Sequence, residues 1–280
     1  MKVKIEERKV EVGGLQTRYL TAGEGPPLLL LHALGENALD WQWVLPNLAS
    51  TRRVYAPDFP GFGGSAKPAT DYSPAFFERF VGAFLDALEV ERATVVGNSL
   101  GGLIALRLAL SEPARVSALG LIDSVGLGRA ISYAMRTPTL PGYGELSITL
   151  GKTPPGAAQR AWLQVPLLFA RPDRVPPEWF TEQYRLAQLP GFLEAALAAL
   201  RAQVNLGGQR EVLLDQLPRL EIPTHVVWGA SDRVLPTSQA REAVARLNEG
   251  TLELIPDCGH LPHVERPDCF IASLSSFLGE

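Results

Sequence analysis

Apolar residues along this chain fall into two different rhythms. Positions 3–12 and 15–21 alternate polar with apolar and meet at Gly13-Gly14, which predicts two strands joined by a tight turn. Pro27-Leu-Leu-Leu-Leu-His32 is a continuous apolar run, the pattern of a strand covered on both faces. Residues 53–57 predict a further strand, and the glycine-rich stretch from Asp58 to Ser65 predicts a loop. Over 74–88 the period turns helical, with Phe76, Phe77, Phe80, Val81, Phe84, Leu85 and Leu88 apolar, Ser73 placed as N-cap and Pro74 at the first position. A strand at 93–97, a small-residue-rich helix at 100–110 and a strand at 116–122 follow. The alternation resumes later with a strand at 224–228, a helix at 237–247, a strand at 252–255 and a closing helix at 267–278.

Strands alternating with helices predict a mostly parallel, twisted sheet flanked by helices, an α/β fold. The stretch 124–210 breaks the rhythm. It holds helical patches at 157–169, 178–188 and 192–203, separated by Pro154-Pro155, Pro176-Pro177 and Pro190-Gly191, and no strand-like run. We therefore expect a core from 1–123 and 211–280, with 124–210 inserted as a helical cap. No internal repeat or low-complexity tract is visible.

The chemistry centres on Gly97-Asn-Ser-Leu-Gly101, which has the form G-x-S-x-G between a predicted strand and a predicted helix. A sharp strand-to-helix turn there strains the serine backbone, and the small residues two positions to either side relieve the crowding. The Ser99 hydroxyl then stands at the sheet edge, near the positive end of the helix. A serine hydroxyl needs a neighbouring base to take its proton. Of the four histidines, His260 has the loop position beyond the last strand that a base requires, and Gly259 lets the backbone turn before it. His263 is the next best placed and reads as a surface or helix-approach residue, while His225 reads as a structural strand histidine.

An imidazole base needs an acceptor that fixes its tautomer. Asp232, in Gly229-Ala-Ser-Asp-Arg-Val-Leu-Pro236, follows a strand and precedes His260 by enough chain for a helix and a strand. Asp123 competes for the role because it also ends a strand. The negative oxygen of an acyl-transfer intermediate needs backbone donors. Leu100, directly after the serine, and Leu34, in His32-Ala-Leu-Gly35, are the candidate oxyanion-hole residues. His32 reads as a brace for that loop rather than a metal ligand.

Taken together, His32-Ala-Leu-Gly35, Asp58-Phe-Pro-Gly-Phe-Gly-Gly-Ser65, Gly97-Asn-Ser-Leu-Gly-Gly102, Gly229-Ala-Ser-Asp-Arg233 and Cys258-Gly-His-Leu-Pro-His-Val-Glu-Arg-Pro267 resemble the α/β-hydrolase superfamily over the whole chain outside the cap. The Gly-Asn-Ser-Leu-Gly-Gly form also resembles the meta-cleavage-product hydrolases, which split a C–C bond in carboxylate-bearing dienones. Two positions depart from the resemblance. Ala33 stands where the superfamily usually has glycine, and Leu261 where the meta-cleavage enzymes usually carry Trp. Serine at 99 excludes the dehalogenase and epoxide-hydrolase branches, which use Asp as nucleophile.

The resemblance implies a serine hydrolase of capped esterase type with no cofactor and no metal. Its expected reaction is cleavage of short to medium acyl esters through an acyl-enzyme. The alternatives are C–C hydrolysis or lactone opening on a carboxylate-bearing substrate, with perhydrolysis as a side reaction, and slow-turnover receptor behaviour of the kind some superfamily members show. Cap charge bears on the choice: 124–210 holds nine Arg or Lys against five Asp or Glu. Arg185 and Arg201, in apolar helical stretches, are the candidates to meet a substrate carboxylate, with the expectation that neither reaches Ser99.

Composition changes little. A net charge of −4 over 280 residues argues against nucleic acid as partner, and no apolar run approaches the roughly 20 residues needed to span a membrane. The charged, alternating start lacks a secretory apolar region. Cys258 and Cys269 read as reduced thiols of a cytoplasmic protein acting on a small-molecule ester.

Overall fold

The computed structural model describes residues 3–280. Its main sheet has eight strands: β1 (Glu6–Val12), β2 (Leu15–Ala22), β3 (Pro27–Leu31), β4 (Arg53–Pro57), β5 (Ala93–Asn98), β6 (Val116–Ile122), β9 (Thr224–Gly229) and β10 (Gly250–Ile255). Two short strands, β7 (Val204–Asn205) and β8 (Gly208–Gln209), pair with each other in the inserted segment, where the sequence pattern gave no strand. The spatial order is β1-β2-β4-β3-β5-β6-β9-β10. The β1–β2 and β2–β4 pairs are antiparallel, and every pair from β4 to β10 is parallel.

The run of leucines in β3 has a simple cause in this order. With β4 on one side and β5 on the other, it is interior, and Leu28, Leu29, Leu30 and Leu31 are all fully buried. Alternation then splits them between two cores. Leu29 and Leu31 join Val95, Leu121 and Trp228 on one face, and Leu28 and Leu30 join Val96, Val227 and Trp41 on the other. Helix α1 (Pro74–Ala87) closes the first core through Phe77, Phe80, Val81, Phe84 and Leu85. Its start is fixed as the sequence predicts: the Ser73 hydroxyl accepts the Phe76 N–H at 3.2 Å, with Pro74 in the first turn. Helix α2 (Leu100–Ser111) is buried almost all round, which requires its small residues. Helix α8 (Pro267–Leu278) covers the second core through Phe270 and Leu274.

Between β6 and β9 lie four longer helices: α3 (Tyr143–Gly151), α4 (Pro154–Leu168), α5 (Pro177–Ala187) and α6 (Phe192–Gln203), with α7 (Ser238–Val244) following β9. The inserted helices are tied to the core at one corner. The C-terminal end of α4 gives its Leu168 carbonyl to the His260 N–H at 2.7 Å. The Glu265 carboxylate accepts N–H groups from Ala170, Arg171 and Gly259 at 3.1, 2.7 and 2.7 Å. Among the described residues no helix is long and apolar enough to cross a membrane.

Candidate active site

The turn after β5 holds Ser99 at φ 54°, ψ −111°, a region that L-residues rarely occupy. Its neighbours show why glycine is needed around it. A Cβ at Gly97 would fall on the Gly101 carbonyl, and one at Gly101 on the Leu31 and His32 carbonyls. The first turn of α2 is therefore pressed against the end of β3. This brings Gly101 against the start of the His32–Gly35 loop, and neither the Leu100 N–H nor the Leu34 N–H has a backbone acceptor among the described residues.

His32 holds that loop in place. Its Nδ1 donates to the Ala33 carbonyl at 2.7 Å and its Nε2 accepts the Phe59 N–H at 2.9 Å. That pairing requires the neutral ring, and burial pushes its pKa down to about 4.

His260 donates from Nδ1 to Asp232 Oδ2 at 2.9 Å. Asp232 Oδ1 accepts the Val234 and Leu235 N–H groups at 2.7 and 3.3 Å, so the turn following β9 aims the carboxylate at the ring. Asn98 donates to the carbonyls of Ile122 and His260, both at 3.1 Å, and so ties the histidine loop to the sheet. Ser99 and His260 line one cavity of about 540 Å³. No hydrogen bond joins the Ser99 hydroxyl to the imidazole among the described residues; such contacts are commonly long before substrate binds.

Asp123 lies beside this group without replacing Asp232. It is fully buried, it accepts the Gly229 N–H at 2.9 Å, and ligand atoms of Asp123, Asp232 and His260 lie within 4.8 Å of one another. His225, a strand residue as expected, bonds Thr251 and Ser273 at 2.7 and 2.8 Å. His263 is a different matter. Rather than approaching the surface, it is fully buried and stacked on Trp41 at 4.1 Å, with its pKa lowered to about 3 by burial.

The cavity wall is mostly apolar, with Met135, Ile148, Leu163, Leu167, Leu197 and Leu200 from the inserted segment. Arg185 and Arg201, the arginines singled out from sequence, are absent from it. Arg185 pairs with Glu182 at 2.6 Å and Arg201 with Glu145 at 2.6 Å, both towards solvent. An apolar helical stretch has a polar face as well, and both arginines sit on it.

The cation that does line the cavity is Arg160 of α4, which sequence reasoning missed. Its guanidinium lies against Gly35 of the His32–Gly35 loop, 3.5 Å from where a Cβ there would stand. It donates to Gln183 Oε1 at 3.2 Å and lies 5.8 Å from the Phe192 ring centre. Among the described residues no carboxylate comes within ion-pair distance of it, and burial lowers its pKa. Glu36, next to Gly35, also lines the cavity. It accepts Gln183 Nε2 at 2.5 Å, and burial raises its pKa to about 7. The one available signal was the position of Glu36, an acidic residue directly after Gly35.

The alpha/beta hydrolase fold family matches residues 26–267. The chain is 31% identical to a 2-hydroxymuconate semialdehyde hydrolase of Pseudomonas sp. strain CF600, over 98% of this chain and 94% of that protein. Its structure is similar to that of a serine hydrolase involved in carbazole degradation, at TM-score 0.81 and 28% identity over 99% of both chains. A membrane phospholipase A is also similar, at TM-score 0.81 and 29% identity over 98% of this chain and 86% of the other. With its eight-stranded sheet, its strained serine turn and these relatives, the chain belongs to the α/β-hydrolase fold family and is similar to the meta-cleavage-product hydrolase branch of it.

Proposed function

We propose that the protein is a serine hydrolase acting on a carboxylate-bearing substrate, cleaving a C–C bond next to a carbonyl or opening a lactone. The observation that carries this reading is Arg160: a guanidinium in the wall shared with Ser99 that makes no ion pair among the described residues, while its carboxylate neighbour Glu36 is held towards the neutral form by burial. An uncompensated charge away from bulk water is costly. A substrate carboxylate, whose two oxygens match the guanidinium fork, offsets that cost. The relative named as a 2-hydroxymuconate semialdehyde hydrolase supports the C–C form.

In this reading His260 takes the Ser99 proton, and Ser99 Oγ attacks the substrate carbonyl. The oxygen gains its charge between the Leu34 and Leu100 N–H groups. Asp232, fixed by Val234 and Leu235, holds the proton-bearing Nδ1 and stabilises the imidazolium. His260 then protonates the departing carbon or oxygen. The acyl-enzyme is released when the same ring draws a proton from water. A neutral ester is the second reading, favoured by the apolar remainder of the wall and by Leu261 in it.

The deciding experiment compares kcat/KM for a vinylogous diketone acid and an enol-lactone acid with that for p-nitrophenyl esters of graded length. Faster turnover of either acid is expected. Faster turnover of every neutral ester would overturn the reading, and turnover slow enough to look like ligand capture would point to a receptor.

A further inference from the structure

Asp123 is buried at the end of β6, and one of its oxygens, Oδ2, has no hydrogen-bond partner among the described residues although it sits in a cluster with Asp232 and His260. Its backbone adopts φ 41°, a left-handed conformation that a non-glycine residue holds only under constraint. Two carboxyl groups this close and this deeply buried cannot both be ionised without a cation between them. The hydrogen bonds decide which one is charged. Asp232 is served by three N–H donors, from Val234, Leu235 and the His260 ring. Asp123 is served by one, the Gly229 N–H, and that donor is on the other oxygen. Glu265 adds further negative charge to the surroundings of Asp123.

We propose that Asp123 is a protonated positioning residue that donates a hydrogen bond from Oδ2 to the Asp232 carboxylate, and that it ionises and takes over as acceptor for His260 when Asp232 is neutralised. The inference rests on the assignment of Ser99, His260 and Asp232 above. Burial and the Asp232 charge both push the Asp123 carboxyl well above its ordinary range, in keeping with the geometry. In Asp232→Asn the like charge is gone, and the new amide can donate to Asp123. The carboxyl then loses its proton and faces the imidazole across a distance already within the cluster.

The test compares kcat of Asp232→Asn, Asp123→Asn and the double variant, across pH. Losing the acceptor outright should cost about 10⁴-fold. We expect Asp232→Asn to retain ten- to a hundredfold more than that, with an acid limb set by Asp123. The double variant should fall by the full factor and lose that limb, and Asp123→Asn alone should cost less than about tenfold. A structural role would lower both backgrounds equally and leave no new limb, and that result overturns the proposal. An infrared band of a protonated carboxyl, present at pH 8 in the parent and absent in Asp123→Asn, is the second readout. If the band is missing, Asp123 is not the proton holder. If Asp232→Asn costs nothing, the assignment of Asp232 fails first and the proposal with it.

Discussion

Replacing Arg160 by Met separates the role of its charge from that of its stem. Methionine keeps an unbranched apolar chain against Phe192 and removes only the guanidinium. For the fold, the change gives up the bond to Gln183 Oε1, about 1 kcal/mol, and relieves the cost of a buried cation that makes no ion pair among the described residues. The two roughly cancel, so the melting temperature should move little. For a substrate carboxylate, the loss is a charge-assisted contact away from bulk water, about 1.5–3 kcal/mol. At 1.4 kcal/mol per tenfold, kcat/KM should fall roughly 10- to 150-fold. The control is internal: a dicarboxylic monoester and its neutral diester share the acyl group and differ only in the distal charge. Arg160→Met should slow the first and leave the second within about threefold. Equal losses on both would show that the guanidinium shapes the cavity rather than reading a charge, and would remove the observation on which the substrate class stands.

Ser99→Ala should retain the fold by circular dichroism and lose several orders of magnitude in kcat, and a fluorophosphonate probe should label Ser99 alone; retention above about a hundredth would remove the serine from its role. Acid should destabilise the protein through its buried neutral histidines, since His32 and His225 are held to about 4 and His263 to about 3 when folded, against 6.5 unfolded. Stability from each is complete above pH 6.5 and lost as pH falls towards the folded value, about 3 kcal/mol for His32 at 1.36 kcal/mol per unit; a urea midpoint unchanged between pH 7 and 4.5 would contradict this. Glu36 titrates in the opposite sense, becoming charged above about pH 7 beside Arg160. KM for an acidic substrate should therefore rise above pH 7 and stay flat in Glu36→Gln, as followed by initial rates.

What the sequence determined by itself is whatever local pattern and short-range sterics dictate. Period-two and helical rhythms place β4, β6, α8 and α6 at their observed bounds, because these elements bury a face whose spacing is written in the chain. The serine turn is legible for the same reason: glycines at 97 and 101 are demanded by backbone atoms within a few residues and by the adjacent strand. The pairing of Asp232 with His260, 28 residues apart, follows from strand order in a parallel sheet, which brings successive strand ends to one edge. Tertiary structure decided the rest. Helical phase alone cannot say which residue of the helices between β6 and β9 turns inward, so Arg160 lines the cavity while Arg185 and Arg201 meet carboxylates at the surface. His263 looked like a loop residue and lies in a short helix, Pro262–Glu265, buried against Trp41 and beside Phe270 of α8. The proximity of Asp123 to Asp232 depends on β6 lying next to β9, a neighbour relation that the 101 residues between them conceal. Charge state follows such neighbours, and a linear pattern does not contain them.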